Sequence, residues 1–477
     1  MRKTVIVIGV AVVLLLAFFL YEAKIAEDNL RLIETSSYLI RECESKINEK
    51  KYEEALQTLN IMLKDNKNNF VAHSLKGSLL LLANRPREAI ESYKQALKLK
   101  DIPGYHKNLA KAYFKNVEYA FSVDEFSKYL KTVKDDEESL FFRARAYSIM
   151  ELYREAMLDA DTILALKKID YNSAMLKAEI CFGIGNYVQS QEYYYKALKL
   201  IENLPKESRD YYYIEVYSSI GSIYIKNREF EKAFSAFKKA EQINGDKIYL
   251  YSDIVRLKIL LGEYDEAKYY VDRLKKEYPL AIQEYEELSG YYFIALYEID
   301  EAAKIYSVLI DSEDSEYFLL AEHYYNLISL LFENNRLAEI DQYAERVYSI
   351  FSGNVKQKGY YSLKYNIARA LCFSKKHRQK GLKIARQAYK ENGEKKYLYD
   401  IGECYYIAED YDKAIELFEM FLREDKYLEE AYIYLARAYS KVGKTVKAME
   451  IIEMGIKINP KNNWLLKTKK NLETSTK

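Results

Sequence analysis

The sequence predicts an all-α chain, an α-solenoid of about twelve helical hairpins with an N-terminal transmembrane helix and a C-terminal capping helix. Three observations carry this. At 477 residues the chain exceeds one ordinary core. Apolar residues make up 49% and charged residues 30%, with only 5 Pro and 16 Gly, which suits helices joined by short turns. A pattern of aromatic, Gly or Ala, and aromatic positions also returns along the chain, mostly in steps of 34 residues.

The first element is "MRKTVIVIGVAVVLLLAFFLYEAK". Residues 1–3 hold two basic side chains, Arg2 and Lys3, and residues 4–21 are uncharged. As a helix those eighteen residues reach about 27 Å, close to the hydrocarbon thickness of a bilayer. No pair of small residues marks a cleavage site near Phe19-Leu20-Tyr21-Glu22-Ala23, so the segment reads as an uncleaved signal anchor, with cleavage as the alternative. Arg2 and Lys3 place residues 1–3 in the cytoplasm, while the exit side carries Glu22, Glu27, Asp28 and Glu34 against Lys24 and Arg31. Residues 22–35 read as a juxtamembrane helix continuing toward the first hairpin.

The repeats occupy 36–462. Units begin near Ser36, Phe70, Pro103, Glu137, Tyr171, Ile214, Ile248, Gln283, Ala321, Tyr361, Lys395 and Glu429. The unit from Ile214 shows Tyr217, Ile220, Gly221, Tyr224, Phe230, Ala233, Phe237 and Ala240. The last unit shows Tyr432, Leu435, Ala436, Tyr439, Ala448 and Pro460. One hairpin cannot bury its own apolar stripe, so neighbours supply the core. Gly or Ala at the eighth and Ala at the twentieth position remove bulk where two helices cross, and aromatics at the eleventh, seventeenth and twenty-fourth fill the space between hairpins. Ile340 and Lys380 stand where two units should have the second Ala. Extra residues at 205–213, 317–320 and 355–360 are expected in loops, the first as an exposed bulge. Residues 463–477 read as a capping helix and polar tail, with Trp464 and Leu465 covering the final hairpin.

These spacings resemble the tetratricopeptide repeat family, whose pattern is W-x2-L-G-x2-Y, then A-x3-F, then P over about 34 residues. The family's Trp never occurs at its place. The resemblance implies that the first helix of each hairpin lines a concave groove, where its second, fifth, ninth and twelfth or thirteenth positions meet partner peptides. Carried across, these positions include Lys107, Lys111, Arg145, Arg256, Tyr291, Tyr325, Tyr365, Arg369, Tyr399 and Arg437 as peptide-binding candidates. Arginines among rigid aromatics suit an extended peptide, through ring burial and bidentate bonds to carboxylates or carbonyls. Lys107, Asn108 and Lys111 also resemble the carboxylate clamp of some relatives, although the next unit has Glu138 and Phe142 where the clamp would be basic.

Other chemistry is not indicated. Lys plus Arg (73) nearly cancels Asp plus Glu (72), so no overall field recruits nucleic acid. Cys43, Cys181, Cys372 and Cys404 lie far apart, and His73, His106, His323 and His377 share no metal-ligand spacing. "KVGKTVKA" (441–448) contains Gly-Lys-Thr, but Ala438 stands where a phosphate loop needs its first Gly, and a helix rather than a strand precedes it. No catalytic, metal or cofactor site is read. The expectation is a single-pass protein of the cytoplasmic membrane, its N-terminus inside and its repeats outside. Residues 4–21 meet the lipid bilayer, and the repeats bind other proteins or peptides without enzymatic activity. The alternatives are a cytoplasm-facing adaptor and an enzyme with an unrecognised site in the groove.

Overall fold

The computed structural model describes residues 42–475, apart from 44, 47–48, 167, 312–316 and 354–358. The segments 1–3, 4–21 and 22–35, with the start of the first repeat, lie outside the described residues. Among the described residues no helix is long and apolar enough to cross a membrane, and every regular element is helical.

The chain forms two compact units. One ends at Tyr147 and includes Leu158–Leu166; the other holds Ser148–Met157 and the chain beyond. In the first, α1 (Tyr52–Asp65), α2 (Phe70–Leu82), α3 (Pro86–Leu99), α4 (Pro103–Lys115) and α5 (Tyr119–Thr132) follow one another as hairpins. Their core gathers Leu59, Leu79, Ile90, Tyr93 and Leu109. The helices α6 (Glu137–Ile149) and α7 (Tyr153–Leu166) are each divided between the units.

The second unit continues with α8 (Tyr171–Ile184), α9 (Tyr187–Leu200), α10 (Lys206–Lys226), α11 (Phe230–Glu241), α12 (Ile248–Leu260) and α13 (Tyr264–Glu277). Next come α14 (Ile282–Leu296), α15 (Ile299–Asp311), α16 (Tyr317–Glu333), α17 (Leu337–Phe351), α18 (Tyr361–Phe373) and α19 (Arg378–Asn392). It ends with α20 (Leu398–Ile407), α21 (Tyr411–Glu424), α22 (Glu429–Lys441), α23 (Thr445–Ile458) and α24 (Asn463–Ser475). Local chemistry starts these helices where they start. Pro86 and Pro103 occupy first positions that need no amide donor, and Asp170 and Ser173 cap α8 reciprocally. Asp265 and Glu266 open α13, and Lys275 and Lys276 close it, in line with the helix dipole.

The repeated small residues sit where the helices cross. A Cβ on Gly221 would lie 2.2 Å from the Phe237 ring, one on Gly402 2.8 Å from Phe418, and one on Gly77 2.9 Å from Tyr93. Thus the aromatic at the twenty-fourth position lies over the glycine of its own hairpin rather than between hairpins. A second aromatic set flanks the turn: Phe114–Tyr119, Phe182–Tyr187 and Tyr406–Tyr411 meet edge to face at 5.2, 5.5 and 5.6 Å. Between the two helices of a hairpin the fifteenth residue turns the chain with a left-handed φ, at Asn84 (58°), Val117 (62°), Gly185 (85°), Arg228 (62°) and Gly443 (78°), among others. Gly443 of "KVGKTVKA" is such a turn between α22 and α23, with no strand before it.

Several expectations change. Residues 206–213 are not a bulge: they are the first turns of the 21-residue α10. Arg209 donates from Nε to the Leu204 carbonyl at 3.0 Å and from Nη1 to Glu202 at 2.9 Å, and Tyr213 bonds Glu202, so the insertion is tied down as helix. Residues 317–320 likewise open α16. Lys380 is not at its unit's crossing. The helix α19 begins one position later in its unit than the second helices of the other hairpins, which brings Gly381 against Ala368, where a Cβ would lie 2.6 Å from the Ala368 carbonyl oxygen. In the unit from Ala321, Ile340 and Ala344 are both buried, so the large and small residues exchange places.

The second unit also joins hairpins far apart in sequence. Tyr264 OH donates to the Lys461 carbonyl at 2.9 Å, 197 residues away, and Asn459 Nδ2 to Leu260 O at 3.2 Å. Gly262 permits this approach, with φ at 66° and no side chain where a Cβ would lie 2.5 Å from Lys461 Cβ. Tyr360 N donates to Met150 O at 2.8 Å, and Arg228 covers the ring of Tyr427 at 4.6 Å. The cap divides its work accordingly. Leu465 is fully buried against Gly455 of the final hairpin, whereas Trp464 Nε1 donates to Ile294 O at 2.7 Å and its ring meets Tyr297 at 4.4 Å.

Candidate functional site

The first helices of successive hairpins in the second unit, α12, α14, α16, α18, α20 and α22, carry the predicted groove residues on one inner face. At its centre lies Arg369 of α18. Its Nε donates to Glu403 Oε2 at 2.5 Å, Nη1 pairs with Asp400 at 2.9 Å, and Nη2 donates to Tyr325 OH. The guanidinium also lies 3.7 Å from the Tyr325 ring centroid and 5.2 Å from that of Tyr399. Tyr325 in turn donates to Glu403 Oε1 at 3.0 Å. The Glu403 side chain is 1% exposed, so this carboxylate depends on its two partners.

A cavity of about 280 Å³ opens beside this cluster, lined by Glu322, Tyr325, Asn326, Ser362, Tyr365, Asn366, Arg369, Tyr397 and Asp400. Tyr365 stacks on Tyr397 with ring centroids 4.2 Å apart, and Tyr397 is held by Glu151 and Ser362. Burial, with the charge of Glu403, pushes the Asp400 carboxyl up to about 6 against the pull of Arg369. Burial and then Glu287 likewise raise Glu322, and burial raises the phenols of Tyr325 and Tyr399 well above the ordinary value.

The predicted residues divide into three groups. Tyr325, Tyr365, Arg369 and Tyr399 come together around the cavity. Arg256, Tyr291 and Arg437 lie along the same face without joining them: Arg256 is 3.4 Å from Glu287, Tyr291 is 41% exposed, and Arg437 pairs with Glu333 at 2.6 Å. Lys107, Lys111 and Arg145 belong to the first unit. There Lys107 bonds Asp136 at 2.9 Å and Glu138 at 3.0 Å, and Lys111 bonds Glu138 at 2.6 Å. The glutamate that interrupts the clamp pattern therefore satisfies the lysines of that pattern. Arg145 is exposed, its guanidinium 5.9 Å from the Phe141 ring.

Sequence reasoning missed the acidic half of this surface. Glu322, Ser362 and Glu430 occupy the second position of their units and Glu333 the thirteenth, so the register that located the arginines also reached them. Asp400 and Asn366 at the sixth position, and Tyr397 at the third, carried no such signal. They line the cavity beside the predicted positions.

Stacked hairpins presenting one polar and aromatic inner face define a helical-repeat scaffold for protein interactions. Tetratricopeptide repeat models match residues 72–102, 214–247, 377–429 and 405–469. These matched segments are tetratricopeptide repeats. The chain is similar to a tetratricopeptide repeat protein from Parabacteroides merdae, with 18% identity, 54% of this chain and 98% of that one covered, and a TM-score of 0.45. Yeast Tom70 matches at 16% identity over 85% and 95% of the two chains, with a TM-score of 0.40. MamA from Desulfovibrio magneticus matches at 17% identity over 36% and 93%, with a TM-score of 0.33. No curated protein matches the chain.

Proposed function

We propose that this protein is a membrane-anchored scaffold that receives extended peptide segments of other proteins on the inner face of its second unit. The observation that carries this reading is the aromatic-lined cavity beside Arg369, with exposed Tyr291 and Arg256 on the same face. Its mechanism is binding alone, without turnover. The uncharged run at 4–21 behind Arg2 and Lys3 supports an anchor with the repeats at the extracytoplasmic face, where envelope proteins are assembled or inspected. Confinement to that layer raises the effective concentration of the scaffold for partners in it.

Photo-crosslinking in intact membranes tests the reading, with Tyr291→Ser and Arg256→Gln combined as the control. Tyr291 is 41% exposed and the Arg256 side chain 51%, so the fold survives, and loss of the crosslinked partners is expected. Undiminished capture removes the inner face from the proposal. Protease added to spheroplasts should digest the repeats; digestion only in inverted vesicles overturns the topology.

A further inference from the structure

The inner face carries more negative than positive charge. Three guanidinium groups, Arg256, Arg369 and Arg437, meet six carboxylates: Glu287, Glu322, Glu333, Asp400, Glu403 and Glu430. Arg256 and Arg437 each pair with one carboxylate, and Arg369 is divided between Asp400 and Glu403. Glu322, on the cavity wall, forms no hydrogen bond or ion pair among the described residues; Glu287 repels its charge, while Arg256, His323 and Arg369 attract it without bonding it. Lys396, which also acts on Asp400, is paired with Glu394 at 2.8 Å.

A second observation points to the same place. Tyr365 lines the cavity and is 1% exposed, yet its hydroxyl has no hydrogen-bond partner among the described residues. Buried hydroxyls are seldom left unpaired, because burial strips their water without replacing it. The charge of Asp400 bears on this phenol, and the rings of Tyr325 and Tyr397 share the wall. Oxygen acceptors and aromatic faces without a matching cation form an environment for an ammonium or guanidinium group. At about 280 Å³ the space falls just below the range for drug-sized ligands, and it suits one long side chain.

We propose that the cavity seats one lysine or arginine side chain of a peptide lying on the inner face, its charge met by Glu322 and Asp400, its N–H donated to the Tyr365 oxygen. The assignment rests on the reading of this face as a peptide-binding surface and reverses the polarity its arginines suggest, since those arginines are already neutralised from within. Recognition is then by what the face lacks.

The test uses the full-length chain in non-ionic detergent, with labelled peptides of repeating Ser-Tyr-Xaa in which Xaa is Lys, Arg, Gln or Glu, followed by fluorescence anisotropy at near-physiological salt. Lys and Arg peptides should bind about tenfold more tightly than the Gln peptide, and the Glu peptide most weakly. Glu322→Gln and Tyr365→Phe should each weaken the Lys peptide by about three- to tenfold and narrow its advantage over the Gln peptide. Neither polar group holds another part of the fold, and an unchanged melting midpoint verifies that. Equal binding of Lys and Gln peptides, or variants that bind the Lys peptide normally, overturns the cation seat and leaves the peptide surface standing. Spermidine binding as tightly as the Lys peptide overturns the peptide source. Absence of binding by every peptide at about 1 mM brings down the surface and the seat together.

Discussion

Gly221, inside α10, lies beneath the ring of Phe237 in α11. An alanine Cβ there would come within 2.2, 2.6 and 2.7 Å of three ring atoms, far inside the roughly 3.5–4.0 Å optimum for carbon contacts. The ring has no slack, because Phe237 is fully buried among Ala233, Ala240, Leu250 and Ile254. Overpacking of this kind costs about 1–3 kcal/mol, and the depth of overlap places it near the top. Alanine's better helix propensity returns about 1 kcal/mol, so Gly221→Ala should destabilise by about 1–2 kcal/mol net. Gly104→Ala, where a Cβ meets nothing within 4 Å, is the matched control and should be neutral or stabilising. Phe237→Leu should relieve the overlap, giving a double-mutant coupling of about 1 kcal/mol or more. Urea unfolding followed by circular dichroism measures the totals, and hydrogen exchange in α10 and α11 shows whether the loss is local, as repeat arrays allow. A cost below about 0.5 kcal/mol, or strict additivity with Phe237→Leu, would refute the packing rule on which the repeat register rests.

Val117 is β-branched, 48% exposed and holds a left-handed φ of 62°, so Val117→Gly should stabilise by about 1 kcal/mol; a lower thermal midpoint would contradict this. Ala414→Met, at a fully buried crossing, should cost about 1–3 kcal/mol in urea unfolding, and an unchanged transition would exclude that crossing. Asp400 titrates near 6 in the fold against about 3.9 in an unfolded chain, so the native state binds the extra proton between these values. Its contribution to stability is therefore fully present below about 4 and is lost as pH rises through about 6. Asp400→Asn should flatten that part of the stability profile, and an identical profile in the variant would show that Asp400 does not titrate there.

The repeat itself was legible because a small residue and an aromatic sixteen places later, such as Gly221 and Phe237 or Gly402 and Phe418, form one steric pair within one hairpin. The left-handed fifteenth residue was hidden. Val117, Glu151 and Arg228 adopt a conformation that their own preferences oppose, and only the helices on either side impose it. The arginines of the inner face were found and their partners were not. Register names the face a residue occupies, whereas pairing such as Arg437 with Glu333, 104 residues apart, depends on which distant hairpins meet. Trp464 shows the same limit: its helix was foreseen, but its acceptor on Ile294 lies 170 residues away.

The bonds from Lys461 and Trp464 back to Tyr264 and Ile294 alter what kind of object the second unit is. An array touching only its immediate neighbours lengthens like a loose spring and frays from its ends. Here successive coils are fastened to each other, so prising away the last helix also strips support from the middle of the chain. A load applied at the C-terminus is therefore felt some two hundred residues upstream, and the inner face keeps its spacing under strain that would open an unfastened coil.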